Sequence, residues 1–569
     1  MSSAEKVSVL NLGLPTEGLL RQSMNLFDAI FADKPFAATA VVYEQRQITY
    51  GDLREQTTRI AAVLSSLNLA AGDRVAILLH DSPEFITSFT AICSSGAIAV
   101  PINMALRLDE QRAILNDCSA SVAIVESDLC SSLLTDAPER LRYLKDVVVV
   151  RHTEHDFTAE TQGAQRERKG LSAIAAVRIR LLNELLRESE GRAVPVFPAP
   201  DENTPAHFLY TSGSTGLAKG AIHRPADIFY TNETFCREVL RLRAGDRLFS
   251  SSRLAFAYGL GNSFTFPLLN GVTTILCREK PTPQVISRVF KEDRPTIFFG
   301  VPVVYSRLLD HHRRVVELDC SSLRLCISAG EALPARLGAE WEKTFAVQVL
   351  DGIGSTEMQH MFMSNHEGKV RYGSSGKVLK GYEAELRDEH GNPTPLAAEG
   401  NLWVKGASAA RGYWQRPEAT RQTFVDGWVR TGDLYRCDRD GYWFHMGRSD
   451  DCFKSSGQWV SPAEVEGVLL GNQGINRAAV VEDFDAEGLP CACAFVVCKD
   501  VESDFVQIEA ELRQLTIEAL PRFKQPRRYL FVAELPHTAT GKIQRFKLRE
   551  QLRELRVQPS GCIAPEGAS

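Results

Sequence analysis

Apolar and polar positions alternate in short blocks along the first hundred residues. The stretch "VVYEQRQITY" (41–50) predicts a β-hairpin, and "GDLREQTTRIAAVLSSL" (51–67) repeats apolar residues at helical spacing. The run "DRVAILL" (73–79) predicts a strand, and "EFITSFTAICSSGAIAVPI" (84–102) predicts a helix followed by a strand. Similar apolar runs recur as "GVTTILC", "PTIFFGV" and "SLRLCISAG" between residues 271 and 330. Short apolar strands between helical patterns predict α/β layering with substantial parallel pairing.

Two regions depart from this alternation. Residues 152–170 are polar and lack a period, and residues 171–191 predict one amphipathic helix. We interpret residues 152–200 as a surface insertion, either a solvated excursion or a site for a partner. From Asp433 onward, strands and turns such as "DRDGYW" replace the earlier pattern. The change predicts a second, smaller domain.

Composition narrows the class of protein. The chain has 569 residues, of which 44% are hydrophobic and 24% charged, as in ordinary globular proteins of several domains. A net charge of −6 gives no general electrostatic reason to expect nucleic acid. No secretory signal and no apolar run of about 18 residues is visible, so no membrane span is expected. The 13 cysteines are scattered, which fits reduced thiols in a cytoplasmic protein.

The segment "YTSGSTGLAKG" (210–220) concentrates glycines, hydroxyl side chains and one lysine. Glycines let a backbone approach a ligand closely, and N–H groups, hydroxyls and an ammonium together suit a phosphate. The strand-like "HFLY" before it argues against a flexible linker. The order of residues is not that of a Walker P-loop, because Lys219 precedes Gly220 and is not followed by Ser or Thr. Paired kinase motifs and a Rossmann GxGxxG are also missing.

Four further motifs support a nucleotide site. "DGIGSTE" (351–357) ends in a hydroxyl and a carboxylate, which suit a magnesium–phosphate complex. "RTGD" (430–433) supplies an acid for ribose hydroxyls, and "GRSDDCFKSSG" (447–457) is a polar, glycine-bounded candidate hinge. "TGKIQR" (540–545) places Lys542 on a predicted exposed turn. Each motif alone is consistent with an ordinary turn, but all five in this order are very specific.

With these motifs the chain resembles the adenylate-forming superfamily of acyl-CoA synthetases, adenylation domains and luciferases, from about Phe36 to Arg545. "FAYGLGNSFTFPL" (256–268), "SAGEALPA" (328–335) and "DGIGSTEMQHMF" (351–362) resemble its benzoate–CoA ligase branch. The resemblance implies an α/β fold with a large N-terminal domain of β-sheets and helices, residues 1–449. It also implies a small, mobile C-terminal α+β domain, residues 450–569.

The implied activity is that of an ATP-dependent aryl-CoA ligase. Such an enzyme converts benzoate or a substituted benzoate, 2-aminobenzoate included, to aryl-CoA through aryl-AMP, with ATP, Mg²⁺ and coenzyme A. The nearest alternative is a stand-alone aryl adenylation enzyme that loads a carrier protein. A noncatalytic nucleotide-binding protein is disfavoured, because Lys542, Glu357 and Asp433 are all present.

The resemblance also assigns nucleotide-binding roles residue by residue. Thr356 would contact the α-phosphate, Glu357 would hold Mg²⁺, and Asp433 would bind the ribose with help from Arg448. The β- and γ-phosphates would be bound by Thr211, Ser212, Gly213, Ser214, Thr215, Gly216 and Lys219. Adenine would be bound by Gly330, Glu331, Ala332, Asp351, Gly352 and Ile353. Two positions depart from the family pattern: Ala218 replaces a proline, and Ile353 replaces an aromatic residue.

The remaining implied roles concern catalysis and the other two substrates. Lys542 would be the catalytic residue of adenylation, and Asp450 the hinge about which the small domain rotates. CoA would contact Ser456, Gly457, Phe523, Lys524 and Arg527, although surface charge explains the last three equally well. The acyl pocket would be formed by Ala257, Tyr258, Ala329, Gly354 and His360. His360 would either hydrogen-bond a ring substituent or cap a polar network in the core.

The expected partners are an aromatic carboxylic acid and CoA, without nucleic acid or membrane, in a monomer or homodimer. A downstream acyltransferase or carrier protein is left open as a protein partner. So are the ring substituents of the acid and the direction of the pathway.

Overall fold

The computed structural model describes residues 24–135, 141–151, 177–191, 196–201, 203–212, 218–315, 317–395, 398–449, 451–455, 458–485, 487–499, 504–536 and 543–557. The chain forms two compact units. The larger unit comprises Met1–Ala384 and Val404–Arg430, and the smaller comprises Glu385–Trp403 and Thr431–Ser569. The predicted α/β fold with a large N-terminal and a small C-terminal part is confirmed. The boundary between residues 449 and 450 stays a prediction.

A seven-stranded sheet carries the glycine-rich segment at one edge. Its strand order is Arg178–Leu181, Asp146–Val150, Val122–Glu126, Arg74–Leu78, Ile98–Pro101, His207–Ser212 and Ala218–His223. Neighbours are parallel except for the last pair, which is antiparallel. Central strands such as Val122–Glu126 are buried along their whole length, because helices cover a parallel sheet on both faces.

A nine-stranded sheet forms the second layer of the large unit. Its strand order is Lys377–Val378, Met361–Ser364, Val349–Gly354, Leu325–Ser328, Ile297–Gly300, Arg247–Ser250, Thr273–Leu276, Thr39–Tyr43 and Arg46–Thr49. The last two strands form the predicted antiparallel hairpin. Ser328, the last residue of one strand, pairs with Asp351 in the neighbouring parallel strand. The segments that follow these strands therefore lie at one edge of the sheet, where ligands bind in α/β folds.

Helices of the large unit connect these strands. The α-helices are Leu26–Phe31, Tyr50–Ser66, Pro83–Ser94, Leu108–Asp117, Ser127–Leu134, Leu182–Glu188, Pro225–Thr231, Ala257–Leu260, Phe266–Leu269, Pro283–Glu292, Pro302–Arg314, Ala335–Phe345 and Pro417–Thr423. Asn232–Leu240 and Gly261–Thr265 are π-helical, and Thr356–Met358 is a 3₁₀ turn. The helix predicted over residues 171–191 is wrong in part. Arg178–Leu181 is an edge strand, because its backbone pairs in parallel with Asp146–Val150, and a helix begins at Leu182. Residues 171–176 of the predicted helix lie outside the described residues.

Five strands follow between residues 383 and 448: Glu383–Arg387, Glu399–Lys405, Phe424–Val425, Trp428–Cys437 and Trp443–Arg448. The rest of the small unit has a three-stranded sheet, in the order Ile475–Phe484, Pro490–Cys498 and Pro526–Phe531. The middle strand contains the cysteine-rich run "CACAFVVC". A hairpin joins Phe453–Ser455 and Gln458–Val460. The helices are Pro462–Leu469, Phe505–Ala519 and Arg545–Val557, with a 3₁₀ turn at Arg522–Lys524. Every helix in the described ranges is too short or too polar to cross a bilayer.

Candidate active site

The glycine-rich segment joins two antiparallel strands at the edge of the seven-stranded sheet. Thr211 pairs with Lys219 and Ser212 with Ala218 across this hairpin. The predicted phosphate ligands Gly213, Ser214, Thr215 and Gly216 lie outside the described residues. The strand places Lys219 next to the loop end, with its Nζ atom 5.4 Å from the centroid of the Tyr413 ring. A cation at this distance is attracted to the ring face, so the aromatic ring helps to hold the ammonium group.

The 3₁₀ turn that carries Thr356 and Glu357 is held from outside at each of its three carbonyl groups. The carbonyl oxygens of Thr356, Glu357 and Met358 accept hydrogen bonds from His223 Nε2 (2.8 Å), Ala410 N (2.8 Å) and Ser408 Oγ (2.9 Å), respectively. A 3₁₀ turn has few internal hydrogen bonds, so external donors largely determine its position. The backbone beneath the predicted phosphate and magnesium contacts is therefore fixed by two separate segments.

The donor His223 belongs to a fully buried charged group. Its Nδ1 atom lies 3.0 Å from Asp227 Oδ2, and its Nε2 atom faces the Thr356 carbonyl. The Thr356 carbonyl oxygen can only accept, so His223 donates to it from Nε2. Asp227 also accepts a hydrogen bond from Arg224 Nε at 3.0 Å. The Thr356 turn is thus held by a buried histidine, whose ring is positioned by Asp227.

The side chain of Glu357 is partly exposed and, among the described residues, forms one hydrogen bond. Tyr413 donates its hydroxyl hydrogen to Glu357 Oε1 at 2.6 Å. Within the described ranges no group of three or more His, Cys, Asp or Glu side chains could hold a metal ion. A magnesium ion here would therefore take one carboxylate from the protein and complete its shell with phosphate oxygens and water. Mg²⁺ commonly binds in this way beside nucleotides, so the residues fit the predicted metal.

The predicted adenine-binding residues lie at the ends of two neighbouring strands: Gly330, Glu331 and Ala332 after the first, and Asp351, Gly352 and Ile353 within the second. The first three are exposed, and Gly330 has φ = +91°, a conformation that favours glycine. Asp351 is buried and accepts a hydrogen bond from Leu333 N at 3.2 Å. Burial raises the pKa of the Asp351 carboxyl group to about 8. This side chain therefore ties the exposed segment to the sheet.

The predicted acyl pocket brings Tyr258 and His360 together. Their ring centroids are 5.6 Å apart, and His360 Nε2 lies 3.1 Å from Asn262 Oδ1, to which it donates. Burial lowers the pKa of His360 to about 3, so its imidazole is neutral at physiological pH. A Cβ atom on Gly354 would lie 2.5 Å from the His360 carbonyl oxygen, so only glycine fits there. Ala257 precedes Tyr258 on the same helix, and Ala329 directly follows the strand beside Gly354.

In the small unit, Asp433 lies between two cationic or potentially cationic side chains. Its Oδ1 atom is 3.2 Å from Arg448 Nη1 and 3.5 Å from His445 Nε2. Asp433 and Arg448 are directly paired on the antiparallel strands Trp428–Cys437 and Trp443–Arg448. Gly432 has φ = +76°, and a Cβ atom there would lie 2.9 Å from Arg448 Nη2. The "RTGD" glycine thus makes room for the guanidinium beside Asp433.

The other predicted residues of the small unit are only partly covered. Lys542, Asp450, Ser456 and Gly457 lie outside the described residues. Lys524 forms an ion pair with Glu464 at 2.6 Å and lies 5.7 Å from the Phe523 ring centroid, while Arg527 is exposed. These contacts give Lys524 a structural role within the small unit. Its role in binding CoA stays a prediction.

His223, Asn262 and Tyr413 were not among the predicted site residues. His223 lies four residues after Lys219 on one strand. Every second side chain of a strand points to the same face, so His223 shares a face with that lysine. Asn262 follows Tyr258 by four residues, which is one helical turn. Tyr413 had no such signal, because it reaches Glu357 from a segment 56 residues away.

A two-layered α/β unit with a glycine-rich hairpin, a Thr–Glu turn and a separate small unit is the architecture of an adenylate-forming enzyme. Residues 27–414 match the AMP-binding enzyme family, and residues 464–542 match the AMP-binding enzyme C-terminal domain. The chain belongs to the AMP-binding enzyme family, as the sequence motifs predicted.

Similar proteins extend over nearly the whole chain. A benzoate–CoA ligase of Thauera aromatica is 37% identical over 518 residues, which cover 90% of this chain and 92% of that protein. The structure of the anthranilate CoA ligase AuaEII with anthranoyl-AMP superposes with a TM-score of 0.84 at 33% identity, covering 94% of this chain and 98% of that one. A benzoate CoA ligase of Burkholderia xenovorans LB400 gives a TM-score of 0.79 at 34% identity, covering 92% and 100%.

Proposed function

We propose that this chain is an ATP-dependent aryl-CoA ligase that activates benzoate or a substituted benzoate, 2-aminobenzoate included. The reaction passes through aryl-AMP and releases AMP and pyrophosphate. The observation that carries the proposal is the full-length similarity to ligases of benzoate and anthranilate. The arrangement of Tyr258, His360 and Gly354 in the acyl pocket supports it. A carrier-loading enzyme is less favoured, because the relatives described above are CoA ligases.

In the first half-reaction a carboxylate oxygen of the acid forms a bond to the α-phosphorus of ATP. The bond from that phosphorus to the bridging oxygen breaks, and pyrophosphate leaves. Two anions must meet, so positive groups and oriented donors are required. We assign this work to Lys542, to the Thr356 hydroxyl at the α-phosphate, and to the loop residues Thr211–Gly216 with Lys219 at the β- and γ-phosphates. When bound through Glu357, Mg²⁺ would neutralise phosphate charge.

The nucleoside is assigned to two places. Gly330, Glu331, Ala332, Asp351, Gly352 and Ile353 would bind adenine. Asp433 would accept hydrogen bonds from the ribose hydroxyls, since contacts with Arg448 and His445 hold its carboxylate in place.

In the second half-reaction the CoA thiolate forms a bond to the acyl carbon, and the bond to AMP breaks. We propose that the small domain, residues 450–569, rotates about Asp450, withdraws Lys542 and presents Ser456 and Gly457 to the pantetheine chain. Phe523, Lys524 and Arg527 would contact the CoA nucleotide. We further propose that the enzyme acts in the cytoplasm as a monomer or homodimer, with an acyltransferase or a carrier protein as its downstream partner.

The substrate class is proposed from the residues assigned to the acyl pocket. Glycine at 354 and alanines at 257 and 329 add little side-chain bulk at these positions, and a flat ring beside Tyr258 suits such a site. Burial of a phenyl ring contributes about 2–3 kcal/mol. Because His360 is neutral, it offers a ring substituent a hydrogen bond rather than a charge.

ATP–pyrophosphate exchange with a panel of acids tests this proposal. We expect benzoate or 2-aminobenzoate to support exchange far better than acetate or octanoate, and para-bulky benzoates to be poor substrates. A higher kcat/KM for octanoate than for every benzoate would show that the pocket assignment is wrong.

A further inference from the structure

The carboxylate of Glu357 is directed by a residue that none of the motifs contains. Tyr413 donates its hydroxyl hydrogen to Glu357 Oε1 at 2.6 Å. Among the described residues, the other carboxylate oxygen has no hydrogen-bond partner. The three outside donors described above fix the backbone of the turn, but only this contact selects a direction for the side chain.

Tyr413 is itself held firmly. Its side chain is buried, its ring lies edge-on to Phe424 at 5.5 Å between centroids, and its N–H donates to Thr420 Oγ1 at 2.9 Å. Its backbone also forms a bridge with Ala221, on the strand that carries Lys219. The hydroxyl group therefore has a fixed position from which to orient a carboxylate.

The same ring lies against both predicted phosphate-side groups. Lys219 Nζ is 5.4 Å from its centroid, while its hydroxyl group contacts Glu357. A phenol is a neutral donor, so it orients the carboxylate without cancelling the charge that a metal ion needs. An arginine in its place would compete with the metal for the same oxygens.

We propose that Tyr413 is a positioning residue for the magnesium–nucleotide complex, and this inference rests on the proposed function. Its hydroxyl group orients Glu357 towards the metal, and its ring face keeps Lys219 beside the phosphates. Partners that orient metal ligands typically change metal affinity or activity about 10–100-fold when they are removed.

The alternative is that Tyr413 only fills space, since it packs with Ala221 and Ala410 in a small apolar cluster. Tyr413→Phe separates the two roles because it keeps the ring and removes the hydroxyl group. A matched control exists in the same unit. Tyr372 donates to Glu342 Oε2 at 2.7 Å, so Tyr372→Phe removes the same kind of hydrogen bond outside the site.

The test measures binding of α,β-methylene-ATP, which cannot transfer its adenylyl group to an acid, by calorimetry at a series of Mg²⁺ concentrations. Mg²⁺ should increase the affinity for the analogue. For Tyr413→Phe we expect the Mg²⁺ concentration that gives half of this increase to rise about 10-fold. Binding without Mg²⁺ should be unchanged, and so should the thermal midpoint. Tyr413→Leu should also weaken binding without Mg²⁺, because the contact with Lys219 is lost. Tyr372→Phe should behave as the wild type does.

An unchanged Mg²⁺ dependence in Tyr413→Phe would overturn the proposal. If Tyr413→Phe is less stable than the wild type, the double variant Tyr413→Phe with Glu357→Gln is compared with Glu357→Gln alone. We expect the same Mg²⁺ dependence in both, because the tyrosine acts through Glu357. Additive effects of the two changes would also overturn it. Failure of the wild type to catalyse pyrophosphate exchange with any aryl acid would instead count against the proposed function.

Discussion

Two carboxylates predicted to contact the nucleotide are held in opposite ways. Glu357, in the large unit, is oriented by the neutral hydroxyl group of Tyr413. Asp433, in the small unit, faces the guanidinium of Arg448 and the ring of His445. In the proposed roles, the first carboxylate binds a metal ion, whereas the second accepts hydrogen bonds from ribose. We therefore expect the kind of partner to distinguish a metal ligand from a hydroxyl acceptor.

The largest effect is expected from Glu357→Gln. Loss of the only proposed protein ligand to Mg²⁺ should lower kcat for adenylation at least about 100-fold, because charge that develops on the phosphates is no longer neutralised. The rate of ATP–pyrophosphate exchange at saturating ATP measures this fall in kcat. Glu342→Gln is the matched control, since Glu342 also accepts a tyrosine hydroxyl, and it should retain wild-type exchange. Equal losses in both variants would indicate general destabilisation rather than a metal role.

A smaller effect of a different kind is expected from Asp433→Asn. The amide keeps the shape but loses the charge-assisted hydrogen bonds, so KM for ATP should rise about 10-fold. Because ribose does not react, kcat should change little. Steady-state kinetics with varied ATP separate the two constants. A fall in kcat as large as that of Glu357→Gln would abolish the distinction between the two carboxylates.

A third carboxyl group, Asp351, is governed by burial rather than by a charged partner. Its pKa of about 8 lies above its ordinary value of 3.8, so the folded protein binds this proton more tightly than the unfolded chain. Its contribution to stability is complete below about pH 4 and is lost as pH rises towards 8. We expect the unfolding free energy of the wild type, relative to Asp351→Asn, to fall by at most about 1.4 kcal/mol per pH unit.

Thermal midpoints of the two proteins between pH 5 and 8 measure this difference. It should amount to only a few degrees per pH unit, because the large unit has a large unfolding entropy. Parallel curves for the two proteins would show that Asp351 is ionised in the folded state.

Much of the fold could be predicted from the sequence because local signals agreed with tertiary structure. The hairpin at residues 39–49 and the strands Thr273–Leu276, Ile297–Gly300 and Leu325–Ser328 have apolar runs of strand length. The exception was Arg178–Leu181, where "RIRL" continues into a helical pattern. Only pairing with Asp146–Val150, distant in sequence, makes it a strand.

The candidate site was predictable where a motif is contiguous. Thr356 and Glu357 stand in one short segment, as do Gly432 and Asp433. The groups that orient them come from elsewhere in the chain: His223, Ser408 and Tyr413 reach the turn across sequence separations of 50 residues or more. Such contacts depend on how loops pack, and the local pattern of apolar and polar residues does not predict them.

The most direct test of the account is to identify the products from benzoate or 2-aminobenzoate, ATP, Mg²⁺ and CoA. Mass spectrometry of the thioester and quantification of AMP should show one aryl-CoA for each AMP and each pyrophosphate released. Without CoA, aryl-AMP should accumulate on the enzyme. Aryl-AMP formation without any aryl-CoA when CoA is present would contradict the account and would favour the alternative, an enzyme that loads a carrier protein.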